Sequence, residues 1–330
     1  MKRIHLILLL LIGTAATLWA SEPPVPRVVV SIKPLHSLVS GVMAGIGKPE
    51  LLVKSGGSPH GYVLRPSEAQ ALSRAQLIIW VGHGLESFLE KPLATLGHQA
   101  HQLELSEELE ASLLPTREGG SWEAHAHNHA VEHHDDDHDA EPHHHEDMAN
   151  GTGHHEHHHD EHDQHLWLDP AMAKRIVTLT AAALSEIDPA RQERYQTNAT
   201  QLVERLDQLD HELKKRLEAV KSTPYIVFHD AYHYFESAYG LHAVGSITID
   251  PERKPGAKRI REIREKIIRL NARCVFSEPQ FESRLVATVI EGTEAKTGVL
   301  DPLGADLPEG PDAYFQLLNR LADNLLVGLK

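Results

Sequence analysis

Between Asp188 and Val220 the chain reads DPARQERYQTNATQLVERLDQLDHELKKRLEAV, with no glycine, and no proline after Pro189. Leu202, Leu206, Leu209, Leu213 and Leu217 recur at three- and four-residue spacing, so one face of a helix is apolar and the rest is polar. At 1.5 Å rise per residue, ~32 residues span roughly 48 Å. The repeat covers barely two heptads, too few for a coiled coil. A spine that bridges two lobes fits this length better.

Working outward, Asp169-Pro170 opens a second helical pattern that runs to about Ile187, with Asp169 as N-cap and proline in the first turn. Strands and helices alternate on both sides of this helical segment. Upstream, strands are predicted at Arg27–Ile32, Glu50–Lys54 and Leu77–Val81, with helices at Leu35–Ala44, Ser67–Arg74 and Glu86–Leu96. Downstream, strands are predicted at Tyr225–Phe228, Leu241–Ser246, Cys274–Ser277 and Gly298–Leu300. The helices between and after them are Asp230–Tyr239, Ala257–Leu270, Ser283–Lys296 and Ala313–Leu326. Alternation at these lengths builds βαβ units. The fold class is therefore α/β: two lobes, each with a parallel sheet flanked by helices, joined by a long backbone helix. The N-terminal lobe covers 26–168, the helical segment 169–221 and the C-terminal lobe 222–330.

One insert interrupts the first lobe. From His125 to His165 the chain carries 16 of its 26 histidines and no lysine or arginine. So few apolar side chains cannot offset the entropy of ordering, which predicts a disordered His-rich loop over 123–164. Of a formal charge of −15, thirteen acidic residues lie between Glu123 and Asp163, leaving about −2 for the rest of the chain. Acidity belongs to that loop rather than to the fold, and no basic patch supports a nucleic-acid partner.

Residues 1–20, MKRIHLILLLLIGTAATLWA, have a basic start, an apolar run from Leu6 to Ile12 and small residues beyond. That is the layout of a secretory signal peptide, with cleavage after Ala20. The apolar run is shorter than the ~20 residues of a membrane span, and no later run approaches that length. The expectation is a periplasmic protein without a membrane anchor. Cys274 is the single cysteine, so no internal disulfide can form.

In open parallel sheets, ligands bind beyond the carboxyl ends of strands. Three histidines occupy such positions: His60 after Glu50–Lys54, His165 before the helix at 170, and His229 directly after Tyr225–Phe228. Asp301 follows the last strand in the same way. Any one strand-end histidine is more often structural than a ligand. Their shared position, beside a loop made of metal ligands, singles them out. Three imidazoles with a carboxylate or water compose an ordinary four-coordinate zinc site.

These residues lie in motifs that resemble a known family. Ser58-Pro59-His60-Gly61-Tyr62-Val63-Leu64-Arg65-Pro66-Ser67, His165-Leu166-Trp167-Leu168-Asp169-Pro170 and Phe228-His229-Asp230-Ala231-Tyr232 are similar to the three metal motifs of cluster A-I periplasmic metal-binding proteins. Ser277-Glu278-Pro279-Gln280 and Leu300-Asp301-Pro302-Leu303-Gly304 continue the match. The histidine at 229 and the His-rich insert resemble the zinc branch, the ZnuA type. The resemblance implies a monomeric solute-binding component of a zinc ABC transporter, with Zn2+ as transported ligand and a membrane permease as partner. It carries His60, His165 and His229 over as ligands and leaves the fourth position to Asp301 or water, since Pro59 stands where some members have a glutamate. Relatives often pair the cysteine at 274 with one near the C-terminus, and residues 321–330 contain none.

The leading expectation is a non-enzymatic binding protein whose His-rich loop adds weak zinc sites. On this expectation, deleting residues 124–163 leaves the tight site intact. One rival is a zinc buffer or storage protein in which the loop is the function. A second is a zinc hydrolase. His155-Glu156-His157-His158-His159 satisfies the H-E-x-x-H pattern, but a tract this rich in His and Glu produces the match by composition.

Overall fold

The computed structural model describes residues 23–54, 56–117, 122, 162–248, 251, 255–281 and 284–330. The leader at 1–20, the H-E-x-x-H match and most of the predicted loop, 123–161, lie outside the described residues.

Four strands form the first sheet: β1 (Val28–Val30), β2 (Glu50–Leu51), β3 (Leu77–Trp80) and β4 (His101–Glu104), in the order β2-β1-β3-β4. Four more form the second: β5 (Tyr225–His229), β6 (Ala243–Thr248), β7 (Cys274–Ser277) and β8 (Lys296–Val299), in the order β6-β5-β7-β8. Every pairing is parallel, so each lobe repeats one topology.

The central strands are apolar on both faces because each face meets helices. The helices are α1 (Lys33–Val42), α2 (Pro66–Arg74), α3 (Glu90–Thr95), α4 (Leu105–Glu108) and α5 (Pro170–Ile187). Then come α6 (Gln192–Leu217), α7 (His233–Tyr239), α8 (Ala257–Leu270), α9 (Arg284–Ile290) and α10 (Ala313–Leu329). Val28, Val30, Leu77 and Ile79 of the first sheet share one core with Tyr225, Val227, Cys274 and Phe276 of the second, filled by residues of α1, α5, α6 and α10. Alternate residues point the other way. Val29, Ile78 and Trp80 pack with Leu72 of α2 and Leu93 of α3, while Ile226, Phe228 and Val275 pack with Ile263 and Ile267 of α8 and Val286 of α9. All five leucines of the apolar stripe are buried in the shared core, so α6 is a spine held on its apolar face.

Hydrogen bonds tie the halves together near the strand ends. Lys33 Nζ, at the start of α1, donates to the carbonyls of Gly304, Ala305 and Leu307 at 2.8–2.9 Å. Trp167 Nε1 donates to Pro302 O at 2.8 Å, and Tyr314 OH donates to Trp167 O at 2.7 Å.

The structure moves several predicted boundaries. Pro189–Arg191 is a 3-10 turn, and α6 proper has 26 residues, about 39 Å at 1.5 Å per residue. Strand β4, HQLE, was outside the sequence expectation, since only Leu103 of its four residues is buried. The helix predicted over 283–296 ends at Ile290, where Gly292 takes φ +76° and the chain turns into β8. Strand β2 pairs over two residues only, not five. His162–Gln164, assigned to the disordered loop, are instead anchored: Pro115 and His162 form an antiparallel bridge, and Asp163 N donates to Leu114 O at 2.8 Å. Cys274 is buried and free. It packs below Gly328 of α10, where a Cβ would lie 3.0 Å from its Sγ, so packing closes this end of the second lobe.

Candidate metal centre

His229 is the last residue of β5, a strand buried at every position. Glu278 follows the end of the neighbouring β7, at the point where the strand order reverses. The register of β5 and β7 therefore places Glu278 Oε1 2.6 Å from His229 Nδ1. His165 is held from the first lobe. It precedes a buried 3-10 turn, Leu166–Leu168, which feeds α5 through its N-cap: Asp169 accepts from Ala171 N at 2.7 Å. Asp163 Oδ1 lies 2.8 Å from His165 Nδ1 and accepts from His165 N at 2.9 Å. His60 sits on a 3-10 turn, Pro59–Gly61, capped by Ser58 Oγ. That turn is steadied where Tyr62 OH reaches Glu68 Oε1 at 2.9 Å and Arg65 N donates to Glu68 Oε2 at 2.8 Å.

The three imidazoles converge. Their ring centroids are 5.2–5.6 Å apart, and one ligating nitrogen from each lies within 4.8 Å of the others. His165 Nε2 and His229 Nε2 are 3.3 Å apart. Two nitrogens bound at about 2.0–2.1 Å to one tetrahedral ion are about 3.3–3.4 Å from each other. The space they enclose is about 10 Å³, the room of one water-sized sphere. Trp167, Phe281 and Pro302 wall it. The site suits an ion and does not fit an organic substrate.

Electrostatics differ among the three rings. Burial, reinforced by the neighbouring His229 and His165, holds the His60 pKa well below the usual imidazole range. Burial also acts downward on His229, but the Glu278 carboxylate outweighs it and the net shift is upward. Asp163 is buried, which acts to raise its pKa, yet contact with His165 turns the net shift downward and keeps it ionised.

The structure brings His60, His165 and His229 together and leaves Asp301 outside the group. Asp301 Oδ1 accepts from Leu303 N at 3.0 Å and Gln280 Nε2 at 2.8 Å, and Oδ2 accepts from Ala305 N at 2.6 Å. Both oxygens are spent on the turn after β8. Asp163 and Glu278 were not anticipated in the site. Their signals were present but slight: an acid two residues before one ligand, and an acid at a strand end facing another.

Solved structures share the fold, and two illustrate it. One described as "Crystal structure of ZnuA" matches with TM-score 0.73 and 21% identity, over 93% of this chain and 100% of that one. The periplasmic zinc binding protein TroA from Treponema pallidum matches with TM-score 0.73 and 17% identity, over 93% and 99%. Fold and cleft together define a two-lobed α/β binding protein. Sequence then narrows the class. Residues 28–328 match the family described as "Zinc-uptake complex component A periplasmic". The High-affinity zinc uptake system protein ZnuA of Brucella abortus (strain 2308) is 48% identical over 337 residues, 98% of each chain. The chain belongs to the ZnuA family.

Proposed function

We propose that this protein captures Zn2+ between its lobes through His60, His165 and His229 and delivers it to the membrane permease of an ABC-type zinc transporter. The spacing carries the reading: two Nε2 atoms 3.3 Å apart, with a third imidazole closing the set. Imidazoles alone would equally suit copper or nickel. Relatives described as zinc uptake proteins and a neighbour described as a periplasmic zinc binding protein favour zinc.

The protein is a transport component, not an enzyme, and no bond of the cargo changes. Neutral imidazoles donate their lone pairs, and the Asp163 and Glu278 carboxylates behind two of them offset the charge of the dication. Water completes the fourth position, since both oxygens of Asp301 accept elsewhere. The lobes, 26–168 and 222–330 with 169–221 as their helical link, present the face that docks to the permease. Residues 1–20 act as a cleavable leader into the periplasm, and the mature chain works there as a monomer. Among the described residues no helix is long and apolar enough to cross a membrane. The His-rich loop supplies accessory weak sites.

Calorimetric titration of the mature protein with zinc, beside a His60→Ala/His229→Ala double variant, tests this. One tight site lost in the variant, with weak sites retained, is the expected result. An unchanged titration would make the loop the main binder and the storage reading the correct one.

A further inference from the structure

We propose that Asp163 and Glu278 are positioning residues of the metal site. Each takes the Nδ1 proton side of one ring, Asp163 for His165 and Glu278 for His229, and so commits that ring's Nε2 lone pair to the ion before the ion arrives. The proposal rests on the reading of the three-histidine pocket as the zinc site.

An ionised carboxylate has no hydrogen to donate, so in each contact the ring nitrogen is the donor. The contacts are short, 2.8 Å for Asp163 and 2.6 Å for Glu278, and both acids are buried, at 6% and 3% exposure. A neutral imidazole carries one N–H. With it on Nδ1, Nε2 is left as a bare acceptor. A proton on Nε2 instead would occupy the direction from which the ion binds. The carboxylates therefore select the binding-competent tautomer.

They also fix the ring planes. Asp163 Oδ1 accepts from both the backbone N and the ring of His165, which locks the ring to its own main chain. The Asp163 backbone is itself held, its N–H on Leu114 O and its carbonyl on Tyr234 OH. Glu278 is fixed by strand register. The 3.3 Å contact between the two Nε2 atoms fits either a proton shared from one ring to the other or two bare acceptors awaiting a cation; the carboxylates on both Nδ1 atoms favour the second. His60 is the internal contrast, since among the described residues its ring meets no carboxylate.

The test uses the full mature chain. Zinc affinity of the His60-dependent site is measured by chelator competition in wild type, Asp163→Asn and Glu278→Gln. Each variant should bind roughly 10- to 100-fold more weakly, and its cobalt(II) absorption should shift from the wild-type tetrahedral bands. In metal-free wild type, imidazole nitrogen–proton correlation spectra in mildly alkaline buffer should place the proton of His165 and His229 on Nδ1. Their signals are identified by loss in His165→Gln and His229→Gln. Wild-type affinity in both variants, or protons on Nε2, overturns the proposal. If the variants fail to fold, the tautomers of the wild type decide alone. Absence of any His60-dependent tight site in wild type would instead sink the zinc reading, with the tautomer measurement still answering for the two carboxylates.

Discussion

His165 Nε2 and His229 Nε2 face each other at 3.3 Å across 64 positions of sequence. One precedes the turn that enters α5, the other ends β5. Neither lobe alone contains the pair, so a cation bound there holds the lobes to each other.

That juxtaposition makes binding sensitive to acid, and the rings share the sensitivity unequally. Only neutral imidazoles bind metal. His60 stays neutral well below the usual imidazole range, because burial and its two imidazole neighbours oppose its charge. His229, drawn upward by Glu278 against its burial, is the ring whose proton competes with zinc. Zinc affinity should therefore begin to fall as pH drops toward and below about 6.5, the ordinary imidazole value. Binding near neutrality should release protons, read from calorimetry in buffers of different ionisation enthalpy. An affinity flat across that range would contradict the assignment.

The end of the His-rich segment can be located functionally. Asp163 lies inside the span expected to be dispensable, yet it bonds His165. Deleting 124–161 should leave the tight zinc site at wild-type affinity. Deleting 124–163 should weaken it roughly 10-fold or more. Chelator competition on the two deletions distinguishes them, and equal affinities would show that Asp163 does not support the site.

Lys33 is 5% exposed and donates to three carbonyls of the turn that follows β8. Lys33→Met keeps the length of the side chain but leaves those carbonyls without their donor. We expect a loss of about 2–3 kcal/mol in urea unfolding. A loss within error would mean that water replaces the ammonium at no cost.

Glu86 is fully buried and accepts from Val81 N at 3.0 Å and Gly82 N at 2.9 Å. Burial raises its pKa from 4.5 to about 7. A raised acid holds its proton in the folded state while the unfolded chain has lost it. Its contribution is therefore complete below 4.5 and is lost as pH rises through about 7. Glu86→Gln has no proton to lose, so its stability should decline less than that of wild type over this window. Parallel melting curves would refute the assignment.

Much of the architecture was legible because burial leaves a local periodic mark. The leucine stripe of α6, the capped start of α5 and the apolar central strands each report a face that meets other elements. Strand β4 left no such mark: it pairs along one side only, and HQLE carries little apolar surface, while β8, expected at Gly298–Leu300, begins two residues earlier because KTGV is equally poor in apolar side chains. The three histidines were legible by position, each beside a strand or helix end. Asp301 shared that position, but the turn's own N–H groups occupy its carboxylate.

The sequence by itself determined the two α/β lobes, the spine between them and the identity of the three converging histidines, since these depend on residue type and spacing along the chain. Only the tertiary structure decided which groups stand behind those histidines. Glu278 meets His229 across 49 positions because β5 and β7 pair in one register, and Trp167 meets Pro302 across 135 because the two lobes close on one core. A hydrogen bond of that kind is set by the distance between elements packed side by side, a quantity that no local stretch of residues contains.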